Sequence, residues 1–313
     1  MPHLQSIIHP AGVEAARISG LWWTMFWICT VVWFAVAIAA LIAMRRGHRA
    51  AAVHLSDPRL SRNVGIATGI SVIALIALLT QSVVTGRALN TIRTGDALRI
   101  NVTGNQWWWD VRYDNPQASL QVTTANEIHI PVGKPVAISL FSNDVIHSFW
   151  VPNLQGKIDL VPGRRNELWL QADKAGVYRG QCAEYCGLQH AKMALVVVAD
   201  PPDQFEAWLA ANRASAPAPV TPEQNRGKEI VEKGPCAMCH NITGTLAGGR
   251  TAPDLTHIAS RSTLGAGSIP NMHGYLAGWV ADPQTIKPGN RMPPPGLTGD
   301  ELQAVLAYLE TLK

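Results

Sequence analysis

The sequence carries little charge, and in two places it carries none. Charged residues make up 15% of the 313 residues, and no charged side chain occurs at 21–44 or at 64–86. An α-helix rises about 1.5 Å per residue, so each stretch is long enough to cross a hydrocarbon core of about 30 Å. Uncharged runs of this length argue against a pair of buried core helices. They predict a hairpin of two transmembrane helices.

Basic charge is concentrated in the part of the chain that holds these spans. The net charge is +4, and residues 1–95 alone hold eight Arg against two acidic residues. Five of these arginines lie between the spans: Arg45, Arg46, Arg49, Arg59 and Arg62. The positive-inside rule places this loop in the cytoplasm and both termini outside, as expected for a bacterial inner (cell) membrane. The charge therefore orients the chain in a lipid bilayer, and no nucleic-acid partner is expected.

After the second span the pattern changes to short runs rich in Val, Ile, Thr and Trp, separated by Gly, Pro and Asn. Runs of this kind indicate an antiparallel β-sandwich or barrel, placed at residues 96–200 after a membrane anchor at 1–95. The expected strands are 98–102, 107–113, 127–130, 136–141, 167–171, 177–182 and 194–198.

The remainder of the chain is expected to be helical. Residues 201–220 contain a helix-like stretch and then an Ala- and Pro-rich run, typical of a semi-rigid linker. A small all-α domain follows at 221–313. Thr221 before Pro222 predicts the start of its first helix, and Thr298 with Glu301 has the capping-box spacing for its last. No internal repeat is present.

Metal-binding side chains are densest at residues 182–193. Cys182, Cys186, His190 and Met193 supply two thiols, an imidazole and a thioether. Soft ligands of this kind suit copper better than magnesium or calcium. A mononuclear blue-copper site needs one Cys and two His, so this segment has one Cys too many and one His too few. His147 is the best candidate for the second imidazole.

The pattern C-x-E-x-C-x-x-x-H-x-x-M resembles subunit II of the haem-copper cytochrome oxidases. The motifs D-V-x-H-S at 144–148 and K-x-D-x-x-P-G-R at 157–164 extend the resemblance. It implies a cupredoxin-like fold and a binuclear copper centre, CuA, bridged by both thiolates. The implied copper ligands are His147, Cys182, the carbonyl of Glu184, Cys186, His190 and Met193.

Two further roles follow from the same resemblance. The Glu184 side chain would also help to bind magnesium at the border with subunit I, and Trp107 would be the point where electrons enter. The residues themselves leave alternatives open. Adjacent tryptophans commonly pack a core or a membrane interface. Cys182 and Cys186 could form a disulfide in an oxidising compartment, or join a zinc site, for which Met is a poor ligand.

The C-terminal domain contains the Cys-x-x-Cys-His signature of covalent haem attachment at 236–240. Cys236 and Cys239 would form the thioethers, and His240 would be the proximal iron ligand. The motif also occurs in zinc sites and redox dithiols. A sixth ligand must come from elsewhere, and Met272, Met292, His257 and His273 are candidates, whereas Met238 lies inside the attachment loop. The segment resembles class I cytochromes c, which implies that Met292 is the distal ligand.

Together these resemblances imply a cytochrome c oxidase subunit, part of a proton-translocating oxidoreductase complex. Electrons would pass from cytochrome c or a cytochrome bc complex to the haem, then to copper, and on to subunit I, with subunit III as a further partner. The linker would make the encounter between haem and copper intramolecular. No oxygen-reduction site is visible in this chain. The alternatives are a subunit of a copper-containing nitric-oxide or nitrous-oxide reductase, or a copper-delivery protein, which would leave the haem motif unexplained.

One feature departs from the family. Many of its members carry a glutamate near the start of the second span, associated with proton uptake, but residues 58–95 contain no acidic residue. This departure puts a role of the subunit in proton uptake in doubt, and another subunit would then supply the acidic group.

Overall fold

The computed structural model describes residues 5–47, 58–89 and 97–313. The chain divides into two compact units, Ala16–Ile92 and a second made of Met1–Ala15 with Arg93–Lys313. The loop residue Arg49, and the expected boundary at residues 95–96, lie outside the described residues.

Two long apolar helices form the first unit. They are α1 (Val13–Gly47) and α2 (Pro58–Leu89), and no residue in the most apolar stretch of either helix is buried. Arg17 donates to the carbonyl of Ala88, and Gln81 donates to Thr24, so the helices run antiparallel. Apolar side chains that face outward all round suit a hydrocarbon solvent. The two helices expected from the sequence are present, each longer at both ends than its uncharged stretch.

Ten strands form the β-sandwich domain. They are β1 (Leu98–Asn105), β2 (Trp108–Tyr113), β3 (Val122–Ala125), β4 (Glu127–Pro131), β5 (Val136–Ser142), β6 (His147–Trp150), β7 (Ile158–Leu160), β8 (Asn166–Leu170), β9 (Gly176–Cys182) and β10 (Ala194–Asp200). One sheet has the order β3-β2-β1-β5-β8 and the other β4-β10-β9-β6-β7. Pairing is antiparallel except for β1 with β5 and β4 with β10. The expected sandwich is confirmed, with one parallel pair in each sheet.

Three of these strands, β3, β6 and β7, are absent from the seven that the sequence predicts. Each has only three or four residues, too few for a recognisable alternation of apolar and polar side chains. They exist because longer neighbours pair with them. β6, for example, is hydrogen-bonded between β7 and β9.

The N-terminal segment packs on the β-sandwich domain. The backbone N–H of Ala11 donates to Asn153, and that of Asp173 donates back to Ala11, each at 2.7 Å. Ala15 is buried. The N-terminal segment and the β-sandwich domain therefore belong to the same compact unit.

The interval 201–220 contains a helix and an ordered connection. In α3 (Pro202–Ala211), Phe205 and Leu209 are buried in the β-sandwich core. Beyond it, Arg213 donates to the carbonyl of Leu120 at 3.2 Å, and Ala216 N–H donates to Thr243 at 2.9 Å. This connection is therefore hydrogen-bonded to both domains that it joins.

The C-terminal domain is helical around a small core of its own. Its helices are α4 (Pro222–Lys233), α5 (Cys236–Cys239), α6 (His273–Ala281), α7 (Pro283–Ile286) and α8 (Gly299–Leu309). α4 and α8 pack together, and Gly227 is needed because a Cβ there would lie 1.9 Å from the carbonyl oxygen of Ala304. Both predicted caps are confirmed, since Thr221 with Gln224 and Thr298 with Glu301 form capping boxes.

Candidate metal centres

The ends of three strands bring the predicted copper ligands together. β6 begins at His147, β9 ends at Cys182, and β10 begins directly after Met193. β9 pairs with both β6 and β10, and Cys182 N–H donates to the Met193 carbonyl at 2.8 Å. Cys186 and His190 lie on the loop that connects β9 to β10. Sheet pairing thus brings His147 to ligands that lie 35 or more residues further along the chain.

The two sulfurs lie between the two imidazoles. Cys182 Sγ is 3.7 Å from Cys186 Sγ and 3.8 Å from His147 Nδ1. Cys186 Sγ is 3.6 Å from His190 Nδ1 and 3.8 Å from Met193 Sδ. His147 and both thiols each place a donor atom within 4.8 Å of the other two. This buried set of nitrogen and soft sulfur donors fits copper.

Cys182 and Cys186 are free thiols in the structure, which therefore does not contain the alternative disulfide between them. A hydrogen bond from Cys186 stabilises the Cys182 thiolate and lowers the pKa of Cys182 to about 3. The same bond, burial and the adjacent negative charge raise the pKa of Cys186, because a second thiolate beside the first is unfavourable. A bound metal ion deprotonates its thiol ligands outright. The pair is therefore arranged for a cation that would hold both thiolates.

Asp144 orients the His147 ring. Its Oδ1 lies 2.8 Å from Nε2 of His147, which is fully buried, and this leaves Nδ1 facing Cys182. Burial raises the pKa of Asp144, but hydrogen bonds from His147, Gln106 and Val145 outweigh it and lower that pKa overall. Carboxylates that hold the remote nitrogen of a ligating imidazole fix its tautomer and raise its basicity. The sequence motif contained Asp144, but this role becomes visible only in the structure.

Glu184 presents its backbone and its side chain in different directions. Its carbonyl oxygen lies 3.2 Å from Cys182 Sγ, within the copper ligand set. Its carboxylate is 44% exposed and lies 3.9 Å from Nζ of Lys157. The backbone is thus available to copper while the carboxylate faces away.

Trp107 is hydrogen-bonded to the loop between β9 and β10, which carries Cys186 and His190. Its indole N–H donates to the Cys186 carbonyl at 2.9 Å, and the Gln106 amide donates to the same oxygen at 2.8 Å. A Cβ on Gly187 would lie 3.1 Å from the Trp107 ring, so glycine allows this close approach. Trp107 is 8% exposed. Trp109, by contrast, is fully buried in the core and packs edge-on against Phe149.

The haem-attachment motif forms a single turn of helix, α5, with His240 directly after it. The Nδ1 atom of His240 lies 2.7 Å from the carbonyl oxygen of Pro253, which leaves Nε2 for a metal. Burial lowers the pKa of His240, so the neutral, metal-binding form is favoured. Cys236 is half-buried and Cys239 exposed, both as free thiols. These side chains fit covalent haem attachment with an axial imidazole.

The four candidates for the distal haem ligand differ in their surroundings. His257 is engaged at both ring nitrogens, by the carbonyls of Lys313 and Ala214. His273 contacts Glu310, and Met272 is 62% exposed. Met292 is half-buried, and its backbone is held by Asn290, which accepts its N–H, and by Gln284, which donates to its carbonyl. The backbone of Met272 is hydrogen-bonded as well, so the partial burial of Met292 is what distinguishes the two methionines, and Met292 stays the predicted distal ligand.

Two basic residues of the C-terminal domain contact the segment that holds Gln106 and Trp107. The sequence analysis did not identify either of them. Lys287 donates to the Trp107 carbonyl, and Arg291 donates to the Gln106 side chain. Their only sequence signal was membership of the Lys-Pro-Gly-Asn-Arg run before Met292.

Comparisons with known proteins agree with this description. Residues 115–200 match the cytochrome c oxidase subunit II periplasmic domain, and residues 224–313 match the cytochrome c family. Cytochrome c oxidase subunit 2 of Alkalihalophilus pseudofirmus is 37% identical over 248 residues, covering 77% of this chain and 70% of that protein. The subunit of Bacillus sp. strain PS3 is 34% identical over 265 residues, covering 79% and 73%.

A solved structure is also similar to part of the chain. The periplasmic domain of subunit II of cytochrome oxidase from Bradyrhizobium japonicum is 32% identical, with a TM-score of 0.37, covering 39% of this chain and 97% of that one. Two apolar helices, a cupredoxin-like sandwich with a copper ligand set and a cytochrome c domain thus occur in one chain. The chain belongs to the cytochrome c oxidase subunit 2 family, as a member with a fused cytochrome c domain.

Proposed function

We propose that this chain is the subunit through which electrons enter a cytochrome c oxidase. Electrons pass from cytochrome c or a cytochrome bc complex to its haem c, then to a binuclear CuA centre, and on to subunit I. There oxygen is reduced, with coupled proton translocation. The observation that carries the proposal is the convergence of the copper ligands beneath Trp107, with the C-terminal domain seated on the same residue.

The donor sets fit both cofactors. Two coppers would share the thiolates of Cys182 and Cys186, with one imidazole each from His147 and His190, and with Met193 and the Glu184 carbonyl completing the coordination. A haem would be attached to Cys236 and Cys239. When bound, these groups accept and release single electrons, and the thioether of a distal Met raises the haem potential.

The fold positions the predicted copper ligands and shields them from solvent. Cys182, Cys186 and Met193 are each 2% exposed or less, and His147 is fully buried. Asp144 holds the His147 ring, sheet pairing holds Cys182, and hydrogen bonds from Gln106 and Trp107 hold the Cys186 backbone. A preorganised site of this kind moves little when its charge changes, which favours rapid electron transfer.

Membrane insertion and partners complete the proposal. The helices α1 and α2 anchor the chain in the bacterial inner membrane, with both metal centres on the outer side. Subunit I receives the electrons, subunit III is a further partner, and the exposed Glu184 carboxylate contributes to a magnesium site at the subunit I border. Residues 58–95 contain no acidic residue, so the acidic group for proton uptake would come from another subunit.

Oxygen uptake by the purified complex, supplied with reduced cytochrome c, tests the proposal. We expect oxygen consumption, together with one haem c and two coppers in this subunit by optical spectra and metal analysis. Reduction of nitric oxide without oxygen uptake would instead establish the reductase alternative.

A further inference from the structure

Lys287 is a buried lysine at the contact between the C-terminal domain and the β-sandwich domain. It follows α7 and is 2% exposed. Its Nζ donates to the carbonyl oxygens of Trp107 at 2.7 Å, Lys192 at 2.7 Å and Gly265 at 2.9 Å. The first two acceptors belong to the β-sandwich domain and the third to the C-terminal domain. One side chain therefore joins three separate segments.

The number of acceptors matches the chemistry of the side chain. An ammonium group has three N–H donors and no acceptor, and all three are used here. A buried charge is costly unless such bonds satisfy it. Burial lowers the pKa of Lys287 to about 7, which reflects that cost. Lysine at this position is thus held by a specific arrangement of backbone oxygens that only the assembled domains provide.

Further hydrogen bonds surround Lys287 on both sides along the chain. The Lys192 ammonium donates to the Ile286 carbonyl, and the Gln189 amide donates to the Pro288 carbonyl, each at 2.5 Å. Arg291 donates to the Gln106 side chain at 2.8 Å. Gln106 in turn donates to the Cys186 carbonyl. Residues 286–291 are therefore bonded at several points to the loops that carry the copper ligands.

We propose that Lys287 is a positioning residue for electron transfer, which holds the loop leading to Met292 against Gln106 and Trp107. This inference rests on the proposed function. It makes the haem-to-copper step a transfer within a docked pair of domains. A linker alone would only raise the frequency of their encounters. Trp107 is 8% exposed, so an external donor has little access to its ring.

Flash photoreduction of the haem in the assembled oxidase tests this role. The haem band and the near-infrared copper band would be followed in wild type and in Lys287→Met. We expect transfer to copper about tenfold slower in the variant, since hydrogen bonds to a charged group are lost from the docked state. Added glycerol should slow the variant further and leave the wild type unchanged, because only the variant must dock first. Midpoint potentials of both centres should not change.

Lys233→Met is the matched control, because the Lys233 side chain is 69% exposed and pairs with Glu229 on its own helix. Transfer in Lys287→Met at the wild-type rate, with no effect of glycerol, would overturn the proposal. If Lys287→Met loses its cofactors, Arg291→Gln tests the same domain contact, because Arg291 is 65% exposed and bonds across it to Gln106 and, at 3.5 Å, to Asp144. The copper midpoint potential of this variant must match the wild type for its rate to count. A wild-type rate without viscosity dependence in Arg291→Gln would then overturn it. Failure of copper reduction in the wild type itself would contradict the proposed function instead.

Discussion

The indole N–H of Trp107 donates a hydrogen bond to the carbonyl oxygen of Cys186 at 2.9 Å. Cys186 is one of the two central thiols of the copper ligand set, and Trp107 lies directly beneath the C-terminal domain. A single hydrogen bond therefore joins the proposed electron-entry residue to the backbone of a predicted copper ligand.

Replacing this indole should slow electron transfer without removing copper. In Trp107→Phe we expect the haem-to-copper rate to fall about ten- to hundredfold, the loss typical of a small misplacement of reacting groups. The near-infrared copper band should persist. Trp108→Phe, a change at a half-buried neighbour, is the control and should leave the rate unchanged. Equal rates in wild type and Trp107→Phe would show that electrons take another path.

Removing one bridging thiol should eliminate the copper centre alone. Cys186→Ser is expected to abolish the near-infrared band, because the set loses a soft ligand that both metals would share. The haem spectrum should remain, since α4 and α8 form a separate core. Cys29→Ser, on the exposed surface of α1, should change neither spectrum. Loss of both spectra in Cys186→Ser would show that the two domains do not fold independently.

The Asp144 carboxylate, which contacts His147, should increase the affinity for copper. Asp144→Asn is expected to weaken copper binding by about 10–100-fold, the usual effect of losing a carboxylate that orients a ligating imidazole. Competitive chelator titration of the loaded protein would measure this change. Asp114→Asn, an exposed carboxylate on the same domain, should bind copper like the wild type. Unchanged affinity in Asp144→Asn would mean that the sheet alone positions His147.

The distal haem ligand should be identifiable by comparing two methionines. Met292→Leu is expected to lower the haem potential and alter the ferrous spectrum, because a Met axial ligand raises the potential. Met272→Leu changes an exposed residue and should do neither. Redox titration with optical detection measures both. A normal potential in Met292→Leu would assign the ligand elsewhere.

Acid should weaken the contact that Glu127 makes between the two domains. Its Oε2 accepts bonds from Ser262 N–H at 3.0 Å and Oγ at 2.5 Å, and His129 contacts its other oxygen. Burial would raise the pKa of Glu127, but these bonds lower it below 4.5 overall. A depressed carboxyl pKa stabilises the folded state above about pH 4.5, and this contribution is lost as the pH falls through the folded-state pKa.

Thermal unfolding of wild type and Glu127→Gln across this pH range tests that effect. At pH 7 the variant should be less stable by about 1–2 kcal/mol. The difference should narrow below about pH 4.5, where the wild-type carboxylate gains its proton. Glu206→Gln, exposed on α3, should follow the wild type. A difference that stays constant with pH would show that ionisation of Glu127 does not contribute.

Features that depend on neighbours in sequence were predictable from the sequence. Two uncharged runs indicated the apolar helices, because a helix needs only its own residues to satisfy its backbone. The capping boxes at Thr221 and Thr298 act within one turn, so spacing alone reveals them. Most of the copper set lies within twelve residues, and residue chemistry was enough to propose its two thiols, its imidazole and its thioether, whereas the Glu184 carbonyl was implied only by the resemblance.

Tertiary structure alone decided the features that join distant segments. The strands β3, β6 and β7 are too short to signal themselves and depend on their partners. Asp144 acquires its role only where β6 brings His147 to Cys182. Lys287 bonds to the carbonyl of Trp107, 180 residues away, and nothing in its own segment indicates that acceptor. The sequence by itself therefore determined which chemistry this protein can perform. Packing decided how its two metal-binding domains meet, because backbone acceptors become specific only once the chain has folded around them.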